Sequence, residues 1–173
     1  ALIYNGVPSN DKDEIALEIC CQLLSNSQKT GILDKLQLDG DIMSVGASQN
    51  AMRDAGILMI NAIPSFDANQ NRWDSHKSVE KIVLSSLRQL QNGEFDEATL
   101  EAIKQNMIRE YDLQMESNEM KAYILASLFN TGADPSDIVN FKEKVKAVTI
   151  DEVKAVAKKY FNDNYLALNI QEA

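Results

Sequence analysis

The chain has 173 residues, 45% of them hydrophobic and 25% charged, a composition that supports one globular domain able to bury a core without metal or disulfide staples. Its 26 acidic residues outnumber 17 basic ones, and the net charge of -9 repels phosphate backbones and anionic lipid surfaces, which argues against a nucleic-acid partner. The longest apolar run, Ala55 to Ile60, is too short to span a membrane.

Leu2 to Val7 reads as a strand closed by the turn cluster Pro8-Ser9-Asn10. The stretch from Asp11 to Ser25 predicts the helix around which the rest is organised. Ile15, Ala16, Ile19, Cys20, Leu23 and Leu24 recur every three or four positions, and Asp11, Asp13 and Glu14 complement its positive end. Cys20 and Cys21 are adjacent, so their side chains diverge and a bond between them would be strained. They are expected as thiols, one buried and one near the helix flank.

Thr30 to Leu38 predicts a short helix bounded by Gly31 and Asp39-Gly40. Ile42 to Ala47 and Gly56 to Ile63 predict two strands. The second carries Ile57, Met59 and Ile63 on one face and Leu58, Ile60 and Ala62 on the other, which places it inside a sheet. Pro64 and the polar run Asp67 to Asn71 end it.

Helical periodicity returns from Ser75, with the stripe Val79, Ile82, Val83, Leu87 and Leu90 and Gly93 as a C-cap. Asp96 opens the longest helical stretch, carrying Leu100, Ile103, Met107, Tyr111 and Met115 and continuing towards Leu128, with a bend or break at Ser117-Asn118. Asp134-Pro135 predicts another helix start, and Thr149-Ile150-Asp151-Glu152 predicts a capping box before Val153, Val156, Ala157 and Tyr160. Tyr165 to Ile170 closes as a strand. Strand, two helices, two strands, four helices and strand define an α+β fold with an at least partly antiparallel sheet covered by helices.

Catalytic signals are sparse. The single histidine, His76, follows Trp73-Asp74-Ser75 at a helix start, with no carboxylate or thiol placed to orient it, and is expected to be exposed and structural. The glycines form no phosphate-binding loop. Asp34, Asp39 and Asp41 suggest calcium, but a loop framed on Gly40 would place Lys35 and Gln37 at its first and third ligand positions and Gly46 at its last. A solvated turn is the better reading. Met107, Met115 and Met120 with Tyr111 read as core rather than groove, and Cys20 as a small buried hydrophobe rather than a nucleophile.

The order of elements, the segment Leu33 to Asp41, Gly93 followed by Asp96-Glu97-Ala98-Thr99-Leu100 and Lys104, and above all Val148-Thr149-Ile150-Asp151-Glu152-Val153-Lys154-Ala155-Val156-Ala157-Lys158-Lys159-Tyr160-Phe161 resemble the C-terminal-type domain of the insulinase or pitrilysin zinc metallopeptidases. The resemblance covers essentially the whole chain and implies a LuxS/processing-peptidase-like half-domain. In that family related domains pair around a peptide chamber. One carries His-x-x-Glu-His; its partner has lost it.

With one His and no such motif, the chain resembles the non-catalytic partner, and one imidazole cannot build a site needing two His and a carboxylate. The resemblance implies no cofactor in this chain and zinc in a partner catalytic domain, carried by the same chain or a sister subunit. No catalytic or metal residue is assigned. Many such domains present an Arg and, seven residues on, a Tyr to the substrate; by the register of Leu33 and Gly40, those positions here are Asp34 and Asp41. Neither can donate a hydrogen bond when ionised. The expected function is a non-catalytic domain, residues 1–173 of a longer multidomain chain, that lines the peptide chamber and packs on its catalytic sister. The alternative is a peptidase-like assembly or subunit-interface module without a proteolytic role, as in the core proteins of respiratory complexes.

Overall fold

The computed structural model describes residues 1–65, 72–132 and 136–170. In chain order these form β1 (Leu2–Asn5), α1 (Glu14–Leu24), α2 (Ile32–Leu38), β2 (Ile42–Ala51), β3 (Gly56–Pro64) and α3 (Arg72–Asn92). They continue as α4 (Glu97–Glu116), α5 (Asn118–Thr131), α6 (Ser136–Ala147), α7 (Ile150–Tyr160) and β4 (Tyr165–Ala167). The strands make one sheet in the order β2-β3-β1-β4, and every pairing is antiparallel. The α+β expectation holds, and β3 is interior.

Helix α1 starts three residues later than its acidic run predicts. The Asp11 carboxylate takes the Asp13 N–H at 2.8 Å and the Asp11 carbonyl takes that of Glu14 at 3.0 Å, so this segment forms a side-chain-stabilised turn before the helix. Ala16, Leu17, Ile19, Cys20, Cys21, Leu23 and Leu24 are all buried, because α1 packs against β2, α7, α4 and α3 at once. Both thiols are therefore enclosed, correcting the expectation that one would lie near a flank. Each fully buried leucine in such a setting contributes about 1.5–3 kcal/mol relative to exposure.

β2 outruns its predicted end at Ala47, because hairpin pairing with β3 continues through the polar residues Ser48, Gln49 and Asn50 to the pair Ala51–Gly56. Backbone pairing, rather than side-chain hydrophobicity, carries this half of the strand. β4 is shorter than predicted, since its partner β1 has only four residues. Among the described residues five helices, not four, separate β3 from β4. The long helical stretch breaks at Ser117, whose extended backbone ends α4 and whose hydroxyl accepts from the Met120 N–H at 3.3 Å to cap α5.

Gly93 ends α3 with φ 75°, the Gly93 N–H bonding Leu90 O and the Glu94 N–H bonding Gln89 O, a left-handed cap that suits glycine. Thr149 caps α7 by accepting from the Glu152 N–H at 3.2 Å. The predicted start at Asp134-Pro135 and the polar run Asp67 to Asn71 lie outside the described residues.

The helices cover one face of the sheet. Leu2, Tyr4, Val45, Leu58 and Ile60 are buried against α1, α3 and α7, and the Tyr4 ring packs edge-on against Phe161 at 5.3 Å. The opposite face has no helix over it among the described residues. Its alternating positions Ile3, Ile57 and Met59 stay partly exposed, Ile63 is 49% exposed and Leu166 is 62% exposed.

Candidate functional site

The two aspartates singled out in the α2 region have different surroundings. Asp34 stands in the first turn of α2 and is completely buried. Its carboxylate accepts from Ser25 Oγ at 2.8 Å, the Asn26 N–H at 2.9 Å and the Gly31 N–H at 3.0 Å, with Lys29 Nζ 3.6 Å away. A carboxylate near the positive end of a helix, with three donors on it, is engaged in fastening the α1–α2 connection. It has no surface to offer a peptide.

Asp41 is exposed and follows Gly40, which has φ 85°. The Gly40 N–H bonds Gln37 O at 3.2 Å and the Asp41 N–H bonds Leu36 O at 3.0 Å, closing α2 with a left-handed cap. The aspartate-rich segment Asp39-Gly40-Asp41 is thus a helix-terminating turn.

Among the described residues no three His, Cys, Asp or Glu side chains converge on a position for a metal ion. The side chain of His76 lies outside the described set. Burial pushes the Cys20 and Cys21 thiols up, which keeps them protonated, whereas a thiolate is the metal ligand; Cys20 Sγ contacts Val153 O at 3.7 Å. The described residues do not fit a zinc centre.

Sequence reading missed a polar cluster that joins the start of α1 to the end of α7. Asp13 accepts from Lys159 Nζ at 2.7 Å and from Tyr160 Oη at 2.9 Å. Burial pushes the Asp13 carboxyl up, but the two hydrogen bonds outweigh it and hold the group below its ordinary value. The partners are separated by nearly the whole chain, so no local spacing announces them. Lys104 is likewise buried, donating to Val148 O at 3.1 Å and Glu101 Oε1 at 2.8 Å and pinning α4 to the start of α7.

The remaining feature is the uncovered sheet face. On it Ile3 pairs with Met59 across β1 and β3 and with Leu166 across β1 and β4, making an apolar row through three strands. The neighbouring edge strand β2 contributes the smaller, more polar Ser44, Gly46, Ser48 and Asn50.

The chain is thus a two-layer α+β domain whose sheet has one face uncovered among the described residues. The sequence matches the family model described as the peptidase M16 inactive domain over residues 1–107, and the chain belongs to that family. It is 22% identical over 164 residues to the zinc protease PqqE of Helicobacter pylori, a match covering 94% of this chain and 35% of that protein. The chain thus spans about a third of that relative's length.

Among solved structures, a protease from Helicobacter pylori superposes with a TM-score of 0.80 at 21% identity, covering 94% of this chain and 38% of that one. An inactive peptidase domain from Bordetella parapertussis superposes with a TM-score of 0.76 at 15% identity, covering 95% of this chain and 87% of that one.

Proposed function

We propose that this chain is the non-catalytic domain of a zinc metalloendopeptidase, packing on a catalytic sister domain and lining the chamber that receives the peptide. The observation that supports this most directly is the sheet face bearing Ile3, Met59, Ile63 and Leu166, which the described helices leave uncovered. An apolar sheet face left open to bulk water invites association, whereas the same face turned into a closed chamber meets extended peptides and stays accessible to them. Zinc and its ligands then belong to the sister domain, in the same chain or in a sister subunit. This domain supplies wall and contact area.

Chemical labelling of Ile63→Cys in the intact parent tests the reading, since Cys20 and Cys21 are buried and stay silent. In a chamber wall the new thiol reacts with a small maleimide and resists a polyethylene-glycol maleimide too large to enter. Resistance to both reagents would instead make the face a subunit interface, the assembly-module alternative. Equal reaction with both would refute enclosure altogether.

A further inference from the structure

We propose that the groove between α1, α4, α5 and α6 docks a partner segment that presents an arginine or lysine among apolar side chains. The inference does not rest on the apolar row of Ile3, Met59 and Leu166, none of which lines the groove; four helices and the Gln49–Ala51 end of β2 bound it.

The groove has a volume of about 940 Å³, within the range of ligand clefts. Each of the four helices contributes an apolar side chain to its mixed lining, Ile15 of α1, Met107 of α4, Ile124 of α5 and Phe141 of α6, so Met107 and Tyr111, expected in the core, line a groove instead. Phe141 stacks on Tyr111 with ring centroids 4.7 Å apart, which ties α6 to α4 and fixes the width there. α5 has no buried residue of its own, so its inward side chains remain available to an occupant.

The polar groups within this apolar frame select the occupant. Glu18 lines the groove, and the hydrogen bond to its carboxylate comes from the neutral Gln22 amide of the same helix at 3.1 Å. Gln49 also lines the groove, and its Oε1 is buried without a hydrogen-bond partner. Both present acceptors, one of them a carboxylate, and the side chains that carry only donors together with a positive charge are arginine and lysine.

Charge points the same way. Asp11, Glu14, Glu18 and Glu152 line the groove against Lys12 and Lys144. Burial pushes the Glu18 carboxyl up, the Gln22 hydrogen bond works against this and Glu110 pushes it up again, so a cation arriving at Glu18 offsets the Glu110 charge while an anion adds to it. Apolar neighbours on the same segment would fill the walls.

The test uses a fluorescent acetyl-Leu-Leu-Arg-Leu-Leu amide peptide, with citrulline or Glu replacing Arg in two controls. Citrulline keeps the shape of arginine and removes its charge. Saturable binding of the Arg peptide is expected, with the citrulline peptide weaker by about tenfold or more, as for loss of a charge-assisted contact, and the Glu peptide weaker still. Glu18→Gln should erase the preference for Arg over citrulline without lowering the melting temperature. Ile124→Lys, which fills the groove from a helix with no fully buried residue, should abolish binding of all three peptides. Equal binding of the Arg and citrulline peptides, a preference that survives Glu18→Gln, or absence of saturable Arg-peptide binding would overturn the proposal.

Discussion

Leu58 and Met59 are neighbours on β3 and meet opposite surroundings: Leu58 is fully enclosed beneath the helices, while Met59 stands on the uncovered face and stays partly exposed. Alternation along a strand makes this unavoidable once helices cover one side only. The consequence, among the described residues, is a domain with a core on one side of its sheet and, on the other, an apolar row flanked by polar positions such as Asn5, Ser48 and Asn61.

Substitutions on the two faces should therefore separate sharply. Ile60, 1% exposed, faces the helices, and Ile60→Asp would bury a carboxylate without a partner at a cost of about 3 kcal/mol or more. Ile63, 49% exposed, faces away, and Ile63→Asp should cost less than about 1 kcal/mol. Urea denaturation of the two variants checks the contrast. Equal losses would mean that the second face is covered.

The layered fold was largely legible because its signals are local. The pattern from Gly56 to Ile63, apolar on both faces apart from Asn61, placed β3 inside the sheet, and Gly93 and Ser117-Asn118 marked breaks that the backbone indeed makes. Two kinds of information stayed hidden. The uncovered face was invisible, since Met59 and Leu58 look alike in sequence and only the placement of the helices distinguishes them. The environment of Asp34 was hidden too, because its donors include backbone N–H groups of a loop whose course periodicity does not give.

Asp34→Asn is expected to destabilise the domain by about 2–4 kcal/mol. The amide retains one acceptor oxygen, and its NH2 group would meet donors where the carboxylate now accepts from Ser25, Asn26 and Gly31. Asp41→Asn, at an exposed turn, should stay within about 0.5 kcal/mol of the parent. Thermal unfolding of both variants decides. A neutral Asp34→Asn would contradict the fastening role assigned to that carboxylate.

The pair Asp13–Lys159 predicts a pH dependence with a definite sign. Folding lowers the Asp13 carboxyl below its ordinary value, so its stabilising contribution is present above the unfolded value of about 3.9 and is lost as pH falls through the lower folded value. Parent and Asp13→Asn should differ by about 1–2 kcal/mol near neutrality, on the order of a charge-assisted hydrogen bond, and converge as the medium is acidified below the ordinary carboxylate range. A difference that stays constant down to strongly acidic pH would assign the effect to packing instead of charge.

The non-catalytic role is tested most directly by peptide hydrolysis with separated parts. This chain, the catalytic domain proposed for its parent and the two together are each supplied with zinc and a quenched fluorescent peptide library. This chain alone should cleave nothing, the catalytic domain alone should be slow, and mixing should raise a chelator-sensitive rate that drops again when Ile63→Asp or Met59→Asp alters the open face. Chelator-sensitive cleavage by this chain on its own, or a catalytic domain equally fast without it, would contradict the account.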